Sequence, residues 1–512
     1  MSFHSILYRT PSDEPGGRSS RRPPEHFVDL ALDQVVASVT AAKQEYGLEP
    51  DFYAPLHDPD AVAYRHEVVR DLQREAVMSA VIDFARGMRS MRERLAEQAG
   101  AHYRHQKERW FLDAVEGYCA SVRGLERALA QAEPASRGLS ELVDYLDAYV
   151  GSAAFMQLED WTGKLKRALD AVRYEVVIQG NTVKVRGYRD EADYSTRVLA
   201  TFAKFQESSA KDYRAKLKAD ASMNHVEAQI LDGVAGLQPE LFADLDRYCK
   251  DNANYLDDHI AAFDREVQFY VAYLEQVRRL EHAGLHFSLP EIAPSWRGTH
   301  AVHMFDAALA DKLRHEDRPV VTNDFHLDGD QRLVVVTGPN QGGKTTYARA
   351  FGQLHYLAAL GLPVPATTAR LHLGDALYTH FERQERVEDL RGKLHEELAR
   401  MHRALERTGR DSVVIMNEAF SSTTASDALQ LNREILVRLD ERGALCLVVT
   451  VLDELASLND RTVSMVSGVD PQDPTVRTFR LERRPADGRA YAIAIARKYG
   501  ITREALKTRL PA

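Results

Sequence analysis

Apolar positions along this chain follow two rhythms. Between Phe27 and about Leu280 they recur every three or four residues with charges between, as in "YRHEVVRDLQREAVMSAVIDFARGMRSMRERLAEQ" (64–98). The segment "ELFADLDRYCKDNANYLDDHIAAFDREVQFYVAYLEQVRRLEHAG" (240–284) reads the same way. Both predict amphipathic helices, and their length without proline predicts extended rods. One stretch breaks the rhythm. "YEVVIQGNTVKVRGY" (174–188) alternates β-branched and polar residues about a QGN turn, which predicts a β-hairpin within 172–190, at the far end of the long helices. From about Leu289 the pattern changes again: the apolar runs "RLVVVTG", "DSVVIMNE" and "ALCLVVTV" alternate with helical segments, as buried parallel strands of an α/β sheet do. "VRTFRLERRPADGRAYAIAIARKYG" (476–500) predicts two strands joined by a Pro/Gly turn and then a last helix. Residues 1–25, with their Pro, Gly, Ser and Arg, read as a flexible tail. The expected layout is therefore a tail (1–25), a helical domain (26–288) and an α/β domain (289–512).

Composition narrows the picture in three ways. With 512 residues and a formal net charge of −10, the molecule is no polycation, so any nucleic-acid surface has to be local. Between Trp161 and Arg189, Lys164, Lys166, Arg167, Arg173, Lys184, Arg186 and Arg189 face only Asp170 and Glu175, a local excess of five positive charges. Phosphate contact there is the expectation, with Lys184, Arg186 and Arg189 as the DNA-binding candidates. Arg18, Arg21 and Arg22 in the tail form a lesser basic group. The three cysteines are far apart and no His cluster has ligand spacing, which argues against a disulfide scaffold or zinc site. No apolar run reaches membrane-spanning length, and the N-terminus lacks an apolar signal region, so a cytoplasmic protein is expected.

The chemistry is concentrated at "GPNQGGKTT". Gly338, Gly343, Lys344 and Thr345 satisfy G-x-x-x-x-G-K-[ST] between an apolar run and a helical one. This predicts a phosphate cradle made by Gly338, Pro339, Asn340, Gln341, Gly342, Gly343, Lys344, Thr345 and Thr346, with backbone N–H groups and a helix N-terminus facing the anion. Lys344 is expected to reach the β- and γ-phosphates of ATP, and the Thr345 hydroxyl to ligate Mg²⁺. Glu418, at the end of a second strand, suits a residue that polarises the attacking water. Asn417 stands where an aspartate would support the metal. Exchanging a charged for a neutral hydrogen bond costs about 1–2 kcal/mol, or roughly tenfold, which weakens hydrolysis without forbidding it.

These residues resemble the MutS family of DNA mismatch-repair ATPases. The resemblance rests on "VVTNDFHL" (320–327), "TGPNQGGKTT", "GLPVPA" (361–366), "LYTHF", the strand ending in Asn417 and Glu418, "SSTTASDALQL", and the tail "RTFRLERRPADGRAYAIAIARKYGI". Other P-loop families do not share the whole set. It extends more faintly to "FYAPLHDPDAVAYRHEVVRDL" (52–72), similar to the start of the family's helical core. The implied fold is an α/β P-loop domain of the ABC type at the C-terminus, preceded by a mainly α core and lever domain with a small β-hairpin insertion. The hairpin falls where a reduced DNA clamp would sit. The implied cofactors are ATP and Mg²⁺, and the implied partners are DNA (duplex, looped or branched) and a second copy of the chain.

Departures from the family pattern carry their own expectations. There is no room before Phe27 for the family's mismatch-reading domain; Phe205, Gln206 and Glu207 spell its wedge triplet but lie in a helical run, so direct mismatch reading is not expected. The family completes each ATP site with a serine from the partner subunit. The matching position at the head of "LRGKLHEELARMHRALE" is Gly392, followed by Lys393, and these are the trans-site candidates, with Arg391 as a further cation. Leu390, Leu394, Leu398, Met401 and Leu405 form that helix's expected apolar stripe. The family's switch histidine is Val451 here, with His380 and Asp453 as possible replacements. Its adenine contacts fall in the weakly matched "APSWRGTHAVHMF" (293–305). Two readings follow: an ATP-switched sensor of DNA structure with slow turnover, or a nucleotide-gated scaffold that binds ATP with negligible hydrolysis and recruits protein partners. No acidic metal cluster or nuclease-like domain is visible in the sequence.

Overall fold

The computed structural model describes residues 3–14, 22–180, 182–189, 223–382, 392–473, 475–486 and 502. Arg18, Arg21, the triplet 205–207, Leu390, Arg391 and the last predicted strand and helix lie outside these residues. The chain divides into two compact units. The first comprises Met1–Phe3, Asp71–Ala135 and Leu139–Asp264, the second His4–Arg70, Ser136–Gly138 and Arg265–Ala512. This differs from the boundary expected near 288: the start and end of the helical region belong to the same compact unit as the α/β sheet.

The helices are α1 (Leu32–Thr40), α2 (Pro59–Leu72), α3 (Glu75–Gly100), α4 (Arg104–Ala132), α5 (Arg137–Val150) and α6 (Ala153–Asp170), followed by the hairpin β1 (Tyr174–Gln179) and β2 (Thr182–Gly187). After it come α7 (His225–Leu237), α8 (Pro239–Asp251) and α9 (Asp258–Glu281). In the first unit α3 and α4 pack along each other, burying Val77, Val81, Phe84 and Met88 against Leu112, Val115, Cys119 and Val122. That is the three-to-four-residue spacing read from the sequence. Ser152 caps α6, accepting from the Phe155 N–H, and Asn224 with Glu227 forms a capping box on α7.

The hairpin forms where expected, with Val176 opposite Val185 and Glu175 opposite Arg186. Cross-strand partners share a face, so Tyr174, Val176, Ile178, Val183 and Val185 make one side and Glu175, Lys184 and Arg186 the other. The hairpin does not stand alone: α7 packs on β2, and a Cβ on Gly233 would lie 2.9 Å from the Val185 side chain. Two members of the basic group are tied down elsewhere, Lys164 to Asp160 at 2.6 Å and Lys166 to Asp113 and Glu116. Lys184, Arg186 and Arg189 are exposed.

The beginning of the chain is not a free tail over its first residues. Ser5, Ile6, Leu7 and Tyr8 are buried in the second unit because "SILY" supplies apolar side chains and most of its backbone polar groups find partners. The Ser5 hydroxyl and the Ile6 N–H both donate to Glu266 at 2.9 Å, Tyr270 donates to the Ile6 carbonyl at 2.8 Å, and Arg65 donates to the carbonyls of Leu7 and Leu360. Burial pushes the Glu266 carboxyl up to about 7, against the Ser5 and Ile6 hydrogen bonds, while Asp51 adds to the rise and Arg265 opposes it. A carboxyl raised on folding makes the native state the stronger proton binder between about pH 4.5 and 7, so its contribution is fully present below that window and is lost as pH rises through it, by an amount on the order of 3 kcal/mol. Glu266→Gln keeps an acceptor oxygen and removes the proton. Its stability, followed by urea titration, is expected to be flatter than wild type across that window and higher at pH 8; an unchanged pH slope would refute the assignment.

The second unit's sheets comprise β3 (Glu291–Ala293) and β4 (His300–Met304), then α10 (Ala307–His315), β5 (Asn323–His326), β6 (Leu333–Thr337), α11 (Lys344–Ala359), β7 (Thr368–His372), β8 (Leu377–Phe381), α12 (Lys393–Arg407), β9 (Val413–Asn417), α13 (Ala425–Arg442), β10 (Leu445–Val449), β11 (Thr462–Val469) and β12 (Arg477–Arg483). A six-stranded sheet runs β12-β11-β6-β10-β9-β8, parallel except for β12, and a four-stranded sheet runs β3-β7-β4-β5. β6 and β10 are buried along their whole length, since helices cover both faces. Val335, Val414, Met416, Cys446 and Val448 form one cluster with Met401 and Leu405 of α12 and Leu436 and Leu439 of α13. Leu394 packs on its edge, whereas Leu398, expected in the α12 stripe, is 36% exposed.

Candidate nucleotide site

The phosphate loop lies between β6 and α11, at the carboxyl edge of the parallel strands, where open α/β sheets form their crevices. Its path needs left-handed backbone at Gly338 (φ 113°), Gln341 (φ 62°) and Gly343 (φ 90°), and Gly343 is the N-cap of α11. Lys344 is 4% exposed, and its ammonium donates to the carbonyls of Gly338 (2.9 Å) and Pro339 (3.3 Å) and to Asn340 Oδ1 (3.2 Å). Burial holds its pKa below the usual lysine value, while the carboxylates of Glu418 and Asp453 pull it back up.

Across the crevice, β9 delivers Asn417 and Glu418. The Thr345 hydroxyl donates to Asn417 Oδ1 at 3.1 Å, so two neutral oxygens sit together beside the loop. Such a pair suits Mg²⁺, which takes few protein ligands and keeps waters and phosphate oxygens for the rest. Glu418 leaves the strand with φ 52° while its N–H donates to the Val449 carbonyl, and Phe420 follows at φ 61°. Two non-glycine residues in left-handed backbone cost about 1–3 kcal/mol each, a strain concentrated at the residue that lines the crevice.

Glu418 and residues 340–346 line a cavity of about 530 Å³. Its apolar end is made by Leu309 and Leu313 of α10, Pro319, Val321 and Phe479. Among the described residues lining this cavity none comes from 293–305, a stretch that carries part of β3, the following turn and β4. Sequence reasoning also missed Phe479. It sits at φ 58°, 46% exposed, against Gly343, and Asn323 holds the kink by donating to the Phe479 carbonyl and accepting from the Leu481 N–H (3.1 and 2.7 Å). Asn323 was visible only as part of "VVTNDFHL", with no sign of the strand it grips.

Of the remaining candidates, Gly392 is exposed and is the N-cap of α12, with Lys393 as the first helical residue. Val451 is 63% exposed just past β10. His380 is buried on β8, where Arg400 donates to its Nδ1 at 3.2 Å, and it does not line the cavity; Asp453 acts on Lys344. Among the described residues no group of three or more His, Cys, Asp or Glu is placed to hold a metal, and no helix is long and apolar enough to cross a membrane.

Comparison with known proteins bears on the same region. Residues 334–509 match the family model for MutS domain V. The chain is 31% identical over 185 residues to DNA mismatch repair protein MutS 1 of Halobacterium salinarum, covering 35% of this chain and 21% of that protein. It is 30% identical over 192 residues to Endonuclease MutS2 of Thermus thermophilus, covering 36% and 25%. A longer match, 25% identity over 343 residues, relates it to DNA mismatch repair protein MutS of Chlorobium phaeobacteroides, covering 65% of this chain and 36% of that one. The matched part thus spans between about a fifth and a third of these relatives' lengths.

Proposed function

Because this chain belongs to the MutS family, we propose that it is an ATP-switched sensor of DNA structure in DNA repair or recombination, working as a cytoplasmic homodimer with slow ATP turnover. The observation that carries the reading is the joint placement of Lys344, Thr345 and Glu418 on a cavity of nucleotide size, with Asn417 accepting a hydrogen bond from Thr345. The loop N–H groups and the α11 N-terminus take the phosphates, and Lys344 exchanges its carbonyl partners for β- and γ-phosphate oxygens. Glu418 orients a water for in-line attack on the γ-phosphorus and takes its proton as the bond to the β–γ bridging oxygen breaks, releasing ADP and phosphate. Thr345 and Asn417 would hold Mg²⁺, which would supply charge neutralisation at the phosphate oxygens. Gly392 and Lys393 of a second copy complete the site.

In this reading Lys184, Arg186 and Arg189 contact the DNA backbone. Lys184→Glu with Arg186→Glu is expected to weaken duplex binding and to reduce the slope of log affinity against log salt by about 2. Fluorescence anisotropy over a salt series measures this. An unchanged slope would remove the hairpin from the interface. The second reading, a scaffold that binds ATP without appreciable turnover, is supported by Asn417, Gly392 and Val451, each of which removes a charge or hydrogen-bonding group the family uses. DNA-stimulated ATP turnover separates the two.

A further inference from the structure

The phosphate loop is gripped from behind by a strand far along the chain. Ser467 of β11, fully buried, donates its hydroxyl to the Gly342 carbonyl at 2.6 Å across a separation of 125 residues. A Cβ on Gly338 would lie 3.0 Å from the Ser467 backbone, and one on Gly342 2.3 Å from Ser467 Oγ, so side-chain-free positions are what allow strand and loop to meet. The β11–β12 pairing shifts register between Ser467 and Val469, an irregularity of the kind that re-aims a side chain beside a site. From β12, Arg477 adds a second strut, its Nε donating to the Asn340 carbonyl at 3.2 Å.

The consequence follows from peptide geometry. In a planar trans peptide the C=O and N–H point in opposite directions, and no cis peptide occurs among the described residues. With the Gly342 carbonyl turned to Ser467, the Gly343 N–H is turned away from it, into the cradle. With the Asn340 carbonyl turned to Arg477, the Gln341 N–H is likewise directed away from the strut.

We propose that Ser467, assisted by Arg477, is a positioning residue that presets the phosphate loop's N–H groups for the β-phosphate of a nucleotide. This rests on the nucleotide reading above. The test uses the full chain as wild type, Ser467→Ala and Arg477→Gln, with ADP as the probe and hydrogen exchange of the loop amides as a second readout. Ser467→Ala is expected to weaken ADP binding on the order of tenfold, and Arg477→Gln, at a half-exposed position, about threefold. In the alanine variant the amides of 340–346 are expected to exchange faster while those of β6 and β10 keep their protection. ADP affinity within twofold of wild type overturns the proposal, and so does exchange that rises throughout the sheet, which marks Ser467 as a general packing residue. Wild-type protein that binds no ADP would instead overturn the nucleotide reading, and the loop amides would then judge the strut by themselves: unchanged exchange in Ser467→Ala overturns it.

Discussion

Lys344→Ala is expected to abolish nucleotide binding. The ammonium lies buried at the floor of the loop with three acceptors around it, two of them backbone carbonyls. Against a triphosphate it makes charge-assisted hydrogen bonds worth about 1.5–3 kcal/mol each, so losing two of them lowers affinity by more than about a hundredfold. The substitution also removes a buried charge whose burial is unfavourable, so the fold is expected to survive it; the Gly338 and Pro339 carbonyls lose a donor, and that of Pro339 still accepts from the Gly342 N–H. Calorimetric titration with ATP, together with a thermal melt, separates the outcomes. A folded variant that still binds ATP within threefold of wild type would remove Lys344 and the phosphate-loop assignment together.

The sequence carried the parts of this site that are local. Six consecutive positions from Gly338 to Gly343 followed by Lys344 and Thr345, a buried apolar run before them and a helix after them make a strand–loop–helix unit whose chemistry depends on neighbours along the chain. The hairpin at 174–187 was legible for the same reason, because alternation and a QGN turn are both short-range signals. What stayed hidden was long-range. Nothing in "TVSMVSGV" says that Ser467 meets Gly342, and nothing in "VVTNDFHL" says that Asn323 grips the Phe479 carbonyl and the Leu481 N–H. The apolar end of the cavity comes from α10, whose Leu309 and Leu313 read in sequence as ordinary helix-face residues. The buried start of the chain was concealed differently: "SILY" precedes a stretch so rich in Pro, Gly and Arg that the whole reads as tail, although a few apolar residues with a partner such as Glu266 are enough to hold it.

Glu418→Gln is expected to leave ATP binding nearly unchanged and to lower turnover by about 10²–10⁴-fold. The amide keeps the size and one acceptor oxygen of the carboxylate, so the strained turn at φ 52° and the hydrogen bond from its N–H to Val449 are retained. It cannot accept the proton of an attacking water, and that step is the one the proposal gives to this side chain. The experiment is steady-state ATP hydrolysis by both proteins, alone and with duplex, looped and branched DNA. Turnover that depends on Glu418 and rises with one DNA form would establish a DNA-responsive ATPase and name its ligand class. ATP bound by both proteins and hydrolysed by neither would mean that an amide at Asn417 beside Thr345 holds the nucleotide without activating it. The strain at Glu418 would then serve the closed, ATP-bound shape alone, and the scaffold reading would become the leading account of the chain. Turnover equal in the two proteins would dismiss Glu418 as the base, leaving Asp453, the other carboxylate whose field reaches Lys344, as the group to replace next.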